Sequence, residues 1–289
     1  MKPPPFLYER ATDLDHATSL LSELGDEARI LAGGQSLLPL LNLRLVHPRY
    51  LIDISKTSEL RGMESKAGQL VVGAGVTYQE VASQGGLPIL SEAISLVGHE
   101  QIRNRGTLVG SIAHHDPSAE LPAVALAMKA TVRLASTSGK RELSAQDFYA
   151  SGYPFSTELA GDELVESVSF PNSDPGAGSA IAEHARRPGD FATAGVVCHV
   201  AASTAGTVDT CRIASFGGVP AVRSHHSCLG IAEGQSGGEE LWHELAHAVS
   251  NEAVPNGTGS ASYLRGLFRS LLATALKRAW SSAVSGYEN

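Results

Sequence analysis

Two glycine-bearing segments carry the residue types in this chain that best suit ligand chemistry. The first, Ala32-Gly33-Gly34-Gln35-Ser36-Leu37, lies where an apolar strand signal gives way to a helix; the second, Arg103-Asn104-Arg105-Gly106-Thr107-Leu108-Val109-Gly110-Ser111, follows about seventy residues later. Glycine lets main-chain N–H groups approach an anion, and Ser36, Thr107 and Ser111 offer hydroxyls to it. At a strand-to-helix turn the first amides of the helix lack intrahelical partners and carry partial positive charge, so a pyrophosphate placed there gains several hydrogen bonds at once. Taken alone, GGxS reads more readily as a tight turn with Ser36 as helix cap. It is neither GxGxxG nor GxxxxGK(S/T), which disfavours the standard nicotinamide and nucleoside-triphosphate loops. The second segment changes the balance. Thr107, Gly110, Ser111, His114, Asp116 and Glu120 crowd donors and acceptors into a loop ahead of apolar Leu121–Met128, a density that suits the ribityl hydroxyls and phosphates of a flavin; the plain alternative is a hydrogen-bonded surface loop. Together the segments predict a phosphate-containing cofactor held from two sides, and redox chemistry.

The elements that position these segments are legible by period. Leu14, Ala17, Leu20, Leu21 and Leu24 recur at helical spacing over Asp13–Leu24, capped by Thr12 or Asp13 and ended by Gly25. Arg29–Ala32 and Tyr50–Ile54 read as strands around a leucine-rich helix over Ser36–Leu45, expected to be buried on most sides, which makes a βαβ-like unit. Leu70–Ala74, Thr131–Leu134 and Leu164–Phe170 read as strands, and Tyr78–Ser83, Pro88–Val97 and Leu121–Met128 as helices. Turn formers crowd Pro171–Gly178, a predicted boundary. Beyond it, Ala180–Ala185, Gly195–Ala202 and Thr210–Phe216 read as three antiparallel strands, followed by amphipathic helices over Glu239–Ser250 and Ser260–Ser281.

Composition narrows the class. The chain has 289 residues, 43% of them hydrophobic, enough for two or three domains with substantial cores. A net charge of −8 argues against a nucleic-acid partner, because phosphate binding of that kind relies on a basic face. No apolar run is long enough for a membrane span, and Met1–Phe6 holds three prolines without an apolar stretch after them, so secretion is not expected. Cys198, Cys211 and Cys228 are odd in number and lack CxxC spacing, which excludes a cysteine-ligated iron–sulfur cluster within the chain and fits a reducing cytoplasm.

AGGQSLLPLLNLRL (from Ala32) and RNRGTLVGSIAHHDPSAELPAV (from Arg103), in that order, resemble two signatures of the FAD-binding medium subunits of molybdenum hydroxylases, and RRPGDFATAG (Arg186 to Gly195) resembles a third. The resemblance runs to the closing helix. It implies an α+β fold: a two-part FAD-binding domain of the vanillyl-alcohol-oxidase/PCMH type plus a C-terminal domain of a three-stranded antiparallel sheet with helices, divided at 1–57, 58–174 and 175–289. It implies FAD as cofactor, held by Ala32, Gly33, Gly34, Gln35, Ser36 and Leu37 at the pyrophosphate and by Thr107, Val109, Gly110, Ser111 and His114 in the second loop. By the same resemblance Asp116 meets ribityl or ribose hydroxyls, the Leu164 backbone meets the adenine side, and Asp190 and Phe191 border the isoalloxazine. A large molybdopterin-binding subunit and a small subunit with [2Fe–2S] clusters are implied as partners, along with an external electron acceptor. No side chain is assigned as catalytic and none as a metal ligand.

Two departures from the family pattern stand out. Val109 replaces the first glycine of the second signature, so flavin affinity falls if that position requires positive φ; a flavin-free assembly subunit is one alternative on this ground. His115 replaces a small residue. His114, His115 and Asp116 suggest a metal site, but neighbours on an extended loop point to opposite sides, and a structural or flavin-edge histidine is expected instead. A free-standing flavin oxidase of a small alcohol or amine, with His114 or His115 as proton acceptor, is the other alternative. His225 and His226 near Cys228 read as a polar loop before a helix, and no GxSxG elbow supports a hydrolase reading of Ser36 or Ser111 with His114 and Asp116. Arg186 and Arg187 read equally as surface ion pairs or as a face toward partner subunits.

Overall fold

The computed structural model describes residues 2–172, 174–251, 253–254 and 258–286. Its first layer is a parallel sheet of β1 (Leu7–Arg10), β2 (Ala28–Leu31) and β3 (Tyr50–Asp53), in the order β1-β3-β2. Helix α1 (Leu14–Leu24) precedes β2: the Asp13 carboxylate accepts from the His16 N–H at 2.7 Å, and Gly25 closes the far end at φ 52°. Helix α2 (Leu37–Asn42) joins β2 to β3 and is shorter than the leucine pattern predicts. Only Leu41 of that helix is buried, while Leu43 and Leu45 are 60% and 66% exposed. The expectation of a helix buried on most sides is therefore corrected: Arg44 turns into positive φ and carries the flanking leucines out to solvent.

The middle layer is an antiparallel sheet of β4 (Met63–Lys66), β5 (Gln69–Gly73), β6 (Thr131–Ser136), β7 (Gly139–Ser144) and β8 (Leu164–Pro171), ordered β4-β5-β8-β6-β7. Between β5 and β6 run α3 (Tyr78–Gln84), α4 (Pro88–Leu96), α5 (Glu100–Arg103), α6 (Leu108–His114) and α7 (Glu120–Ala127), and α8 (Ala145–Phe148) follows β7. Thr77 and Glu80 form a reciprocal capping box on α3. Every residue of α7 is buried, so its apolar stretch is a core helix and shows no amphipathic period.

The C-terminal layer contains β9 (Ala177–His184), β10 (Ala194–Ala202), β11 (Val208–Gly217) and the two-residue β12 (Arg223–Ser224), then α9 (Ser227–Ala232), α10 (Glu239–Ser250) and α11 (Ala261–Ser285). The sheet thus has four strands, in the order β12-β11-β10-β9, where the sequence marks three, because a two-residue strand shows no periodicity. Strand β10 is buried on both faces. Val196, Cys198 and Val200 join the core beneath α10 and α11, while Val197 joins the larger core shared with the first two layers. Gly178 lets the α11 backbone pack directly on β9, since a Cβ there would lie 2.7 Å from the Ala283 nitrogen. Among the described residues no helix is long and apolar enough to cross a membrane.

Candidate functional site

The two glycine segments meet. A Cβ on Gly33 would collide with the Arg105 carbonyl and lie 2.7 Å from the Gly106 Cα and 2.9 Å from the Thr107 nitrogen, so the first segment packs backbone to backbone on the second. Beside this crossing opens a cleft of about 530 Å³. Ala32, Gly33, Gly34, Gln35, Ser36 and Leu37 line one side, and Thr107, Gly110, Ser111 and His114 line the other. Leu21, Ala28 and Ile30 form apolar wall, and Leu159, Gly161 and Glu163 reach it from the segment before β8.

The first segment presents donors. Among the described residues the amides of Gly33, Gly34, Gln35 and Ser36 donate to no protein acceptor, and Ser36 makes no capping bond although it precedes α2. A plain capped turn would have used that hydroxyl. Gly34 sits at φ 74°, a conformation that glycine adopts freely. Unpaired amides beside a cavity large enough for an organic ligand are the arrangement a diphosphate needs, and the residues present fit FAD.

The second segment is not the loop that the polar residues predict. Residues 108–114 form α6, with Thr107 as N-cap accepting from the Gly110 N–H at 3.1 Å. A Cβ on Gly110 would lie 2.6 Å from the Thr107 hydroxyl, so glycine there lets the cap close. Val109 has ordinary helical backbone and is 1% exposed, packed in the main core and outside the cleft lining; the strain anticipated from a positive φ does not arise. His114 ends α6, facing the cleft and packed on the Phe155 ring with centroids 5.2 Å apart. Burial pushes its pKa down, and the neighbouring Asp116 opposes that only in part. His115 does not continue an extended loop: it turns left-handed at φ 50°, is fully buried, stacks on Tyr149 at 4.1 Å and places Nδ1 2.8 Å from the Ser156 carbonyl. That environment is structural.

The remaining expected residues lie outside the cleft lining. Asp116 accepts from the Ser118 N–H at 2.8 Å. Leu164 opens β8 with its side chain in the core, and its neighbour Glu163 reaches the cleft, held by the Arg141 guanidinium at 2.6 and 2.7 Å, which keeps the carboxyl below the usual range. Asp190 and Phe191 occupy the β9–β10 connection, with Phe191 75% exposed and Gly189 packed against His99.

Tyr78 escaped the sequence reading. Its ring lies against Gly106 and lines the cleft, and its phenol, beside Ser111, is pushed up to about 12, chiefly by burial. Glu120, at the start of α7, is pushed up to about 8 by burial, then by the charges of Glu183 and Asp116. The position of Tyr78 straight after the capping Thr77 is the only sequence signal for its role, and it reads equally as a core aromatic.

Comparison with known proteins agrees with this geometry. The model for the FAD binding domain in molybdopterin dehydrogenase matches residues 4–173, and that for the CO dehydrogenase flavoprotein C-terminal domain matches residues 179–279. The chain is 36% identical over 286 residues to the 6-hydroxypseudooxynicotine dehydrogenase complex subunit alpha of Paenarthrobacter nicotinovorans, covering 96% of each chain. It is 34% identical to the carbon monoxide dehydrogenase medium chain of Hydrogenophaga pseudoflava, covering 97% of this chain and 99% of that one. Among solved structures it superposes on carbon monoxide dehydrogenase from Hydrogenophaga pseudoflava with a TM-score of 0.92 at 33% identity, covering 97% of this chain and 99% of that one. It matches quinoline 2-oxidoreductase from Pseudomonas putida 86 with a TM-score of 0.90 at 32% identity, covering 98% and 99%. The chain belongs to the FAD-binding medium subunits of molybdenum hydroxylases and is an FAD-dependent oxidoreductase subunit.

Proposed function

We propose that this chain holds FAD in the cleft and passes electrons from [2Fe–2S] clusters on a small partner subunit, reduced by a molybdopterin centre on a large one, to an external acceptor such as oxygen, a quinone or NAD, in the cytoplasm. The observation that carries the reading is the set of unpaired amides at Gly33–Ser36, packed through Gly33 onto the Thr107 segment. Bound FAD would supply reversible redox chemistry that takes electrons one at a time from the clusters and passes them on to the acceptor. The chain's own residues bind and orient it. Amides of Gly33 to Ser36 and the Ser36 hydroxyl take the diphosphate, Thr107, Gly110 and Ser111 close on it from the facing segment, and Leu21, Ala28 and Ile30 exclude water along the apolar wall. The Leu164 backbone, Asp116, Asp190 and Phe191 complete the assignment as further contacts along the cofactor. Beside Ser111, Tyr78 lines the cleft and holds its proton at neutral pH, so that side of the cleft offers neutral hydroxyl groups.

The test is anaerobic. Mixing the FAD-loaded chain with the reduced small iron–sulfur subunit should bleach the flavin band near 450 nm, and small alcohols or amines added to the chain alone should leave it intact. Bleaching by such a substrate without partners would establish the free-standing oxidase instead.

A further inference from the structure

A second cavity, of about 350 Å³, lies between the middle and C-terminal layers and shares no lining residue with the cofactor cleft. It opens where the end of α7 and the β7–α8 junction face β11, β12 and the start of α9. No aspartate or glutamate lines it, although the chain has 30 acidic residues against 22 lysines and arginines. Two cations do. Lys129, held at φ 52° just past α7, and Arg212 on β11 have no carboxylate partner among the described residues.

Arg212 is partly explained by packing. Its Nε donates to the Ala127 carbonyl at 2.7 Å, as a cation at the C-terminal end of a helix should. That bond fixes the guanidinium and leaves its two terminal nitrogens without a protein acceptor among the described residues. Burial accordingly holds the Arg212 pKa below its ordinary value, the mark of a desolvated cation without a counter-ion. Nearby His199, paired with the Ser179 hydroxyl at 2.8 Å, is pushed down to about 3 by burial and then by the charges of Arg212 and Lys129, so it adds no charge of its own. Thr210, Ser224 and Gln146 bring polar side chains that make no side-chain hydrogen bond among the described residues, whereas the Ser144 hydroxyl is already given to Asp147. Leu126 and Leu229 add apolar side chains to the lining.

We propose that this cavity binds a small phosphate ester, with the oxyanion on Arg212 and Lys129 and the organic part against Leu126 and Leu229. A guanidinium with two free donors in one plane suits two oxygens of a phosphate, and the lysine adds a point charge. The volume is near the low end of small-ligand pockets, roughly 300–1,000 Å³. A concave, carboxylate-free site with a mixed polar and apolar lining favours such a ligand over a flat protein contact.

The probes are inorganic phosphate and AMP, titrated calorimetrically into the FAD-loaded full chain. One equivalent of AMP should bind, more tightly than phosphate, without displacing FAD. Lys129→Gln, at an exposed side chain, should weaken AMP binding at least about tenfold with the melting temperature unchanged. Arg212→Lys, which keeps the charge but loses the planar pair of donors, should weaken it by a similar factor. Phosphate binding as tightly as AMP would name inorganic phosphate as the occupant and leave the anion site standing. No binding of either probe at millimolar concentration, binding indifferent to both substitutions, or loss of binding once the partner subunits are assembled would overturn the proposal.

Discussion

Gly33→Ala tests the crossing of the two segments. The φ of Gly33 lies outside the left-handed region, so alanine is conformationally acceptable there and any effect comes from crowding. The new methyl would meet only backbone: the Arg105 carbonyl, the Gly106 Cα at 2.7 Å and the Thr107 nitrogen at 2.9 Å. Restoring ordinary contact of about 3.4 Å moves the segments apart by at least about 0.7 Å, more at the Arg105 carbonyl, and neither side can yield by rotating a side chain. A hydrogen bond of about 2.9 Å stretched by that amount is no longer one. Losing a single amide bond to a charged phosphate, worth about 1.5–3 kcal/mol, should raise the FAD dissociation constant by roughly 10- to 150-fold. Overpacking of about 1–3 kcal/mol should also lower the melting temperature by several degrees. The assay is fluorescence titration of FAD into apoprotein, with thermal unfolding of the same samples. Gly62→Ala serves as control, since a Cβ at Gly62 meets nothing within 4 Å. FAD affinity within twofold of the parent, with unchanged melting, would refute the reasoning.

Val109→Gly should not improve FAD occupancy: it removes a buried side chain from the core and puts glycine into α6, destabilising by about 3 kcal/mol in chemical denaturation. Tyr78→Phe removes a phenol hydroxyl from the cleft lining while keeping the ring against Gly106, so FAD affinity should fall by about fivefold with little change in melting. Glu120 gives a pH signature. Its folded pKa of about 8 lies above the ordinary 4.5, so the native state binds the extra proton between those values, and stability contributed by the protonated carboxyl is present at low pH and lost as pH rises through about 8. Glu120→Gln should flatten the decline in melting temperature between about pH 4.5 and 8, and an unchanged profile would contradict the assignment.

The sequence exposed the parts of this molecule governed by local chemistry. Asp13 and Thr77 announce their helices because a cap needs only one side chain and one amide, and Gly25 and Gly34 mark turns because few other residues tolerate positive φ. Strands β8, β10 and β11 follow their apolar runs. What failed were readings that depended on distant packing. The leucines of 36–45 look like core, yet only Leu41 is buried: Leu37 and Leu40 line the cleft, and Leu38, Leu43 and Leu45 face solvent. Helix α6 hid behind Thr107, Gly110 and Ser111, residues that usually belong to turns and here serve as cap and close approach. Val109 seemed to threaten the cofactor only because its direction, into the core, is set by helical phase. The ten cleft-lining residues among those proposed carry the two motifs; Tyr78, which completes the wall, has no motif.

Hydrogen–deuterium exchange of the full chain with and without FAD addresses the central assignment most directly. The amides of Gly33, Gly34, Gln35 and Ser36 lack protein acceptors among the described residues and should exchange fast without the cofactor, then slow together with the segment around Thr107 to Ser111 when FAD is added. FAD binding that leaves both segments unprotected, or protects a different part of the chain, would contradict it.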